Sequence, residues 1–147
     1  VEENVDNLFI GEYKHQLDEK GRLAVPSKFR NKLKKGAVVT KGLDGCLFLY
    51  TADEWNKLVT KITQMPISQG NARGFSRLML AGAMAVEIDS QGRINLPKYL
   101  IDFAKLKGSS IIAGLMSRLE IWSEKAWDEY KKKTEKDSEK MAEALFI

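Results

Sequence analysis

The 147-residue chain is 44% hydrophobic and 30% charged and carries a net charge of +4, the balance of a folded, water-soluble protein rather than a disordered one. It holds one cysteine, Cys46, and one histidine, His15, which excludes an intrachain disulfide, a His/Cys zinc site and a triad assembled around a local nucleophile elbow. No apolar run approaches the roughly 20 residues needed to cross a bilayer, so no membrane partner is expected and a cytoplasmic protein is the default.

In chain order, residues 1–8 read as a disordered extension or an expression remnant, acidic and polar from Val1 to Asn7. Phe9 to Leu17 and Arg22 to Val25 read as two strands joined at Asp18-Glu19-Lys20-Gly21, where Gly takes positive φ and Asp bonds the backbone of its own turn. Pro26 ends the second strand. Phe29 and Leu33, four apart, then mark one face of a short basic helix that stops at Gly36. Ala37 to Lys41 and Cys46 to Tyr50 flank the turn Gly42-Leu43-Asp44-Gly45, and Cys46 reads there as a small buried hydrophobe. Thr51 with Glu54 carries a capping-box signature opening a helix with Trp55, Leu58, Val59 and Ile62 that runs until Pro66. Gln69 to Leu80 predicts a joining helix.

The order then repeats. Asp18, Gly21, Arg22 and Pro26 return as Asp89, Gly92, Arg93 and Pro97 at a constant spacing of 71, and beyond the proline, by Gly36, the spacing becomes 72, matching Gly36 to Gly108, Leu47 to Leu119 and Trp55 to Trp127. Ala83 to Ile88 and Arg93 to Leu96 form the second hairpin, Pro97 to Leu106 its helix, and Ser110 to Ala113 and Leu119 to Trp122 the following strands. Ser123 caps a last helix carrying Trp127 and Tyr130. The tail alternates Lys with Glu and Asp, with Met141, Ala144, Leu145 and Phe146 available to dock back. The expected units are a first repeat over 9–66, a connecting helix over 67–82, a second repeat over 83–130 and a charged helix or tail over 131–147. Two copies are too few for a solenoid and predict an α+β domain with pseudo-two-fold symmetry, each half covering the other's apolar face.

The copies share a scaffold but differ in charge. Gly11 to Lys41 holds nine bases and three acids, whereas Gly82 to Ala113 holds four and three, which places a polyanion-facing surface on the first copy. Phosphate-binding loops of the G-x-x-x-x-G-K and G-x-G-x-x-G kinds are missing. A proton-sharing pair of Asp18 and Asp89 on a duplicated barrel would need apolar, tightly turned loops, but each Asp lies among polar residues four positions before an Arg that holds it ionised. No catalytic residue, metal, cofactor or small-molecule ligand is expected. The aromatic residues, Trp55, Trp122, Trp127, Phe29 and Phe48, sit at apolar-face positions and read as core rather than as a stacking platform for single strands.

What is left is an Asp and an Arg four apart across a hairpin tip, twice. Either the pairs staple the hairpins, within each tip or as Asp18 with Arg93 and Asp89 with Arg22 across the pseudo-two-fold, or the arginines face phosphate or a guanine edge. Arg22 favours the second reading because Lys20, Lys28 and Arg30 lie nearby and Lys14 precedes it; Asp18 and Asp89, with Gly21 and Gly92, orient and close the turns.

Asp-x-x-Gly-Arg followed by an alternating strand, a proline and a short helix resembles the swapped-hairpin element of AbrB-type bacterial transition-state regulators. Two copies in a chain of this length resemble the MraZ family of regulators associated with the division and cell-wall gene cluster. Gly11-Glu12-Tyr13, Lys28-Phe29-Arg30, Thr40-Lys41-Gly42-Leu43-Asp44 and Leu119-Glu120-Ile121-Trp122 extend the likeness from about Phe9 to Trp127. The resemblance implies an intrachain swapped-hairpin β-barrel with flanking helices, ring-like homo-oligomers, and binding of double-stranded DNA at short direct repeats in promoters, hence a nucleoid-associated protein. It places Arg22 and Arg30 at DNA-facing positions and His15 where a basic residue occurs. The second copy has Ile101 in place of Arg30, leaving Arg93 and Lys98 to carry any contact there. A protein-interaction or assembly scaffold with only secondary DNA binding is the alternative.

Overall fold

The computed structural model describes residues 8–147; the expected extension over Val1 to Asn7 lies outside the described residues. The first copy contributes β1 (Ile10–Gln16), β2 (Arg22–Ala24), α1 (Ser27–Leu33), β3 (Ala37–Lys41), β4 (Leu47–Thr51) and α2 (Ala52–Thr63). After α3 (Gly70–Ser76) and a π-helical turn (Arg77–Ala81), the second copy contributes β5 (Met84–Val86), β6 (Arg93–Asn95), α4 (Lys98–Phe103), β7 (Ser109–Leu115) and β8 (Leu119–Ser123). The chain ends in α5 (Glu124–Lys136) and α6 (Ser138–Ala144). Thr51 and Ser123 cap α2 and α5 as expected, accepting from the Glu54 and Ala126 N–H groups at 3.1 Å each.

The hairpins are swapped. Within the first one, pairing reduces to a bridge between Leu17 and Leu23 and a bond from the Asp18 N–H to the Arg22 carbonyl at 3.0 Å. Beyond the tip the arms part: β1 pairs antiparallel with β7, and β2 with β6. The second hairpin does the same, with β5 on β3. The two strands on each side of a tip therefore do not form one continuous ladder, as the sequence suggests, because the other copy supplies the edge that each arm needs. The result is an α+β fold with a six-stranded antiparallel sheet, order β1-β7-β8-β4-β3-β5, closed over by the β2-β6 ribbon.

The duplication appears as a pseudo-two-fold whose axis can be read from the register. Leu23 faces Ile94, its own equivalent at spacing 71, with Arg22 opposite Asn95 and Ala24 opposite Arg93. Phe48 faces Glu120, its equivalent at spacing 72, with Leu47 opposite Ile121 and Leu49 opposite Leu119. Both copies thus contribute to one interior, where Leu23, Phe29, Leu33, Leu47, Leu49, Ile94, Leu100, Ile112, Leu119 and Ile121 are fully buried. The alternate residues of β4 and β8 point to the other face of the sheet. There Phe48, Tyr50, Ile111 and Trp122 are covered by Trp55 and Leu58 of α2, Met79, and Trp127 of α5. Burial on both faces explains why β4 and β8 read as near-continuous apolar runs.

Cys46 is buried with its thiol donating to the Leu43 carbonyl, and burial pushes its pKa up. The joining helix is interrupted at Arg77–Ala81, where the widened turn presents the Met79 carbonyl to the buried Thr40 hydroxyl at 2.7 Å. The tail does not dock back onto the described residues. Met141, Ala144 and Leu145 are exposed, and Phe146 is almost wholly so, since α6 continues from an α5 whose last turns already face solvent.

Candidate nucleic-acid interface

Each hairpin tip is organised by its aspartate. Asp18 Oδ1 accepts the N–H groups of Lys20 and Arg22 at 2.9 and 2.8 Å, and its Oδ2 accepts Arg22 Nε at 2.6 Å. Asp89 repeats this with Gln91 and Arg93 at 2.9 Å each, and with Arg93 Nε at 3.0 Å. The staples therefore form within each tip, not across the pseudo-two-fold. Gly21 and Gly92 close the turns at φ +81° and +79°, a region that a side chain would strain.

The backbone N–H of Arg22, and after it the Arg22 side chain, holds the Asp18 carboxyl below the usual carboxylate range, and Arg93 does the same for Asp89. Ionised aspartates fix both guanidinium planes through Nε alone. The terminal nitrogens of Arg22 and Arg93 carry no hydrogen bond among the described residues, so each fork is oriented yet open. Such a fork donates two parallel bonds to a phosphate or to guanine O6 and N7.

The tips stand at opposite ends of the β2-β6 ribbon, since the Leu96 N–H reaches the Gly21 carbonyl at 2.7 Å and the Val25 N–H reaches Gly92 at 2.9 Å. Leu23 and Ile94 point into the barrel and are buried; Arg22, Ala24, Arg93 and Asn95 alternate to the outer face. Arg22 and Arg93 are diagonal neighbours there, roughly 7–8 Å apart at the backbone. Asn95 is absent from the sequence-based expectations, although the two-residue period of β6, with Ile94 inward, suffices to find it.

The other expected residues divide. Lys20 is exposed on the first tip beside Arg22. Arg30 belongs to the second tip: its Nε donates to the Val25 carbonyl at 2.8 Å, and its guanidinium fills the space a Cβ on Gly92 would need. Its equivalent, Ile101, lies against Gly21 in the same way, so each copy's helix props up the other copy's tip. His15 is half-buried, and burial, then the positive charge of Arg30, holds its imidazole below the ordinary histidine pKa. Lys28 lies over the Tyr13 ring at 5.6 Å. Lys14 alternates to the other side of β1 and pairs with Glu124 of α5 at 3.2 Å, apart from both tips. Lys98 pairs with Asp102 at 2.8 Å on exposed helix surface.

The family model described as MraZ protein, putative antitoxin-like, matches the chain twice, over residues 8–78 and 79–146. A protein of Natranaerobius thermophilus named Transcriptional regulator MraZ is 46% identical over 138 residues, covering 94% of this chain and 96% of its own. Those of Caldanaerobacter subterraneus subsp. tengcongensis and Ligilactobacillus salivarius, of the same name, are 44% and 46% identical with the same coverage. With two matches that together span the duplicated scaffold and relatives aligned along nearly its whole length, the chain belongs to the MraZ family.

Proposed function

We propose that this protein is a sequence-specific DNA-binding transcriptional regulator, acting without catalysis, which binds short direct repeats in promoter DNA of the division and cell-wall gene cluster as a ring-like homo-oligomer. The observation that carries the reading is the pair of arginines, Arg22 and Arg93, each oriented by an ionised aspartate with its outer nitrogens open on one exposed ribbon. A two-stranded ribbon fits the major groove, about 12 Å wide. Lys20, Lys28 and Arg30 supply the surrounding positive surface, with Lys14 at its margin, and His15, its imidazole kept neutral by burial and by Arg30, is a further contact. The names of the relatives support the regulatory role. The functional unit is the pair of repeats over 9–66 and 83–130, joined through 67–82 and working at the nucleoid.

A local excess of six positive charges on the first copy makes only a few phosphate contacts, and non-specific affinity from such contacts is roughly 10⁻⁴ to 10⁻⁶ M. Several subunits engaging spaced repeats raise this by about 10²- to 10⁴-fold through effective concentration. The test is a titration of wild type and Arg22→Ala against a labelled duplex from the upstream region of the protein's own gene, at two salt concentrations and with unrelated duplex as competitor. Competitor-resistant, salt-weakened binding that disappears in the variant is the expected result; affinity retained by the variant removes Arg22 from the contact.

The exposed apolar end, Leu145, Phe146 and Ile147, favours a second reading as an assembly scaffold. Recovery of one stoichiometric protein partner, together with an absence of salt-sensitive DNA binding, would select it.

A further inference from the structure

The β2-β6 ribbon is not symmetric on its outer face. Its pseudo-two-fold exchanges Arg22 with Arg93 and Ala24 with Asn95. The arginines obey the symmetry; the second pair breaks it. One end of the ribbon therefore presents Arg22 across from Asn95, and the other presents Arg93 across from Ala24.

The register makes these true neighbours. The bonds from Leu96 to Gly21 and from Val25 to Gly92 mark hydrogen-bonded positions at both ends of the ribbon. Because such positions alternate, Arg22·Asn95 and Ala24·Arg93 are the non-hydrogen-bonded pairs, whose backbones approach to about 4.5 Å and whose side chains stand closest. Asn95 is exposed, and its Oδ1 lies 3.4 Å from where a Cβ on Gly21 would be, above the first tip. Its carboxamide makes no hydrogen bond among the described residues. Asparagine is also a poor strand former, so β-propensity does not account for it on the exposed face of a three-residue strand.

We propose that Asn95 is a specificity-determining residue that reads an adenine beside the guanine engaged by Arg22, and that its contrast with Ala24 gives the ribbon a direction. The inference rests on the DNA-binding reading above. An asparagine offers one donor and one acceptor side by side, matching adenine N6 and N7, whereas Ala24 offers only a methyl, which suits the thymine methyl. A symmetric ribbon would accept its element in either orientation, as two-fold proteins match palindromes. This ribbon reads a non-palindromic element in one orientation, so subunits related by simple repetition engage head-to-tail repeats.

The experiment is selection from a pool of randomised duplexes by full-length wild type, Asn95→Ala, Asn95→Asp and the exchange variant Ala24→Asn/Asn95→Ala, with thermal melting and oligomer size recorded for each. Wild type should return an asymmetric consensus. Asn95→Ala should flatten the preference at the base pair next to the Arg22-dependent guanine by roughly 5- to 150-fold, the range for losing one bidentate base contact. Asn95→Asp should turn that preference toward cytosine, whose N4 donates. The exchange variant should return the consensus reversed. Retention of the wild-type consensus and discrimination by Asn95→Ala or by Asn95→Asp overturns the proposal while leaving the DNA-binding reading intact. A wild type that selects no consensus overturns both.

Discussion

Arg30 of the first copy occupies the space beneath Gly92 of the second, and the reciprocal position, beneath Gly21, is held by Ile101. The helix of one repeat is thus part of the other repeat's tip. Gly92→Ala should destabilise the protein by about 1–2 kcal/mol from its left-handed backbone alone, and further because the guanidinium must leave. Arg30→Ala removes that obstacle, so Gly92→Ala should cost less in the Arg30→Ala background, with a coupling of roughly 0.5–3 kcal/mol. Gly21→Ala should show none with Arg30→Ala. Urea unfolding of the two cycles decides; equal coupling at both glycines would contradict the crossed arrangement.

The aspartates give the tips a one-sided pH dependence. Because the folded-state pKa of Asp18 and Asp89 is lowered, their stabilisation is complete above the ordinary carboxylate range and is lost only as pH falls through the folded value. The Lys20 and Arg22 amides, which bond Asp18 Oδ1, should report this directly by NMR, with shifts that stay flat through neutrality and move at acid pH. Midpoints at or above the ordinary aspartate value would mean that the staple is not formed in solution.

His15 titrates in the same sense for stability, but from a higher pH. Its folded pKa is lowered by burial and by Arg30, so the unfolded state takes up the proton first. Stability therefore declines as pH drops below the ordinary histidine value and levels off once the folded pKa is passed. As the only histidine, it gives a single imidazole signal to follow. Arg30→Ala should raise the midpoint part of the way, leaving the effect of burial. Addition of the specific duplex should raise it further, since a nearby phosphate favours the imidazolium; a midpoint unmoved by duplex places His15 away from DNA.

The duplication, the hairpin tips and the helix caps were legible in the sequence because each depends on neighbours along the chain: an Asp bonding N–H groups two and four residues on, a Gly at positive φ, a Thr or Ser opening a helix. The partners of the arms were not, since β1 alternates the same way whether it meets β2 or β7; only the family resemblance pointed to intertwined hairpins. For a related reason the sequence sets Arg30 beside Arg22, whereas the fold sets it at the second tip. Its position on a basic helix is local, but which tip it props up depends on the swap. Lys14 counted as one more positive charge until the fold set it against Glu124, more than a hundred residues away. The exposed apolar end of the tail was visible as composition, and nothing along the chain said whether a surface of the same chain would meet it.

Glu120 is the plainest case of a residue whose reason lies in the fold. It sits within the apolar run Leu119-Glu120-Ile121-Trp122, directly opposite its own equivalent Phe48 at the pseudo-two-fold, and is only 7% exposed. Its Oε2 accepts Arg118 Nε and Nη2 at 3.0 and 2.8 Å, its Oε1 accepts Trp122 Nε1 at 3.0 Å, and Arg118 lies over the Phe48 ring at 4.4 Å. One carboxylate thereby satisfies the indole of the second core and tethers the cation that covers the first copy's aromatic. Removing only the cation strands a buried charge: Arg118→Ala should cost about 2–3 kcal/mol, below the full penalty for breaking a buried pair because Arg118 is itself part-exposed. Replacing both partners, as in Arg118→Met/Glu120→Leu, should recover most of that loss, less the one bond to Trp122, since buried pairs exchanged for packed apolar groups are often neutral. Urea midpoints of the single and double variants test this. A double variant no more stable than Arg118→Ala would mean that the pair holds the sheet by its own attraction rather than by compensating a carboxylate that burial removes from water.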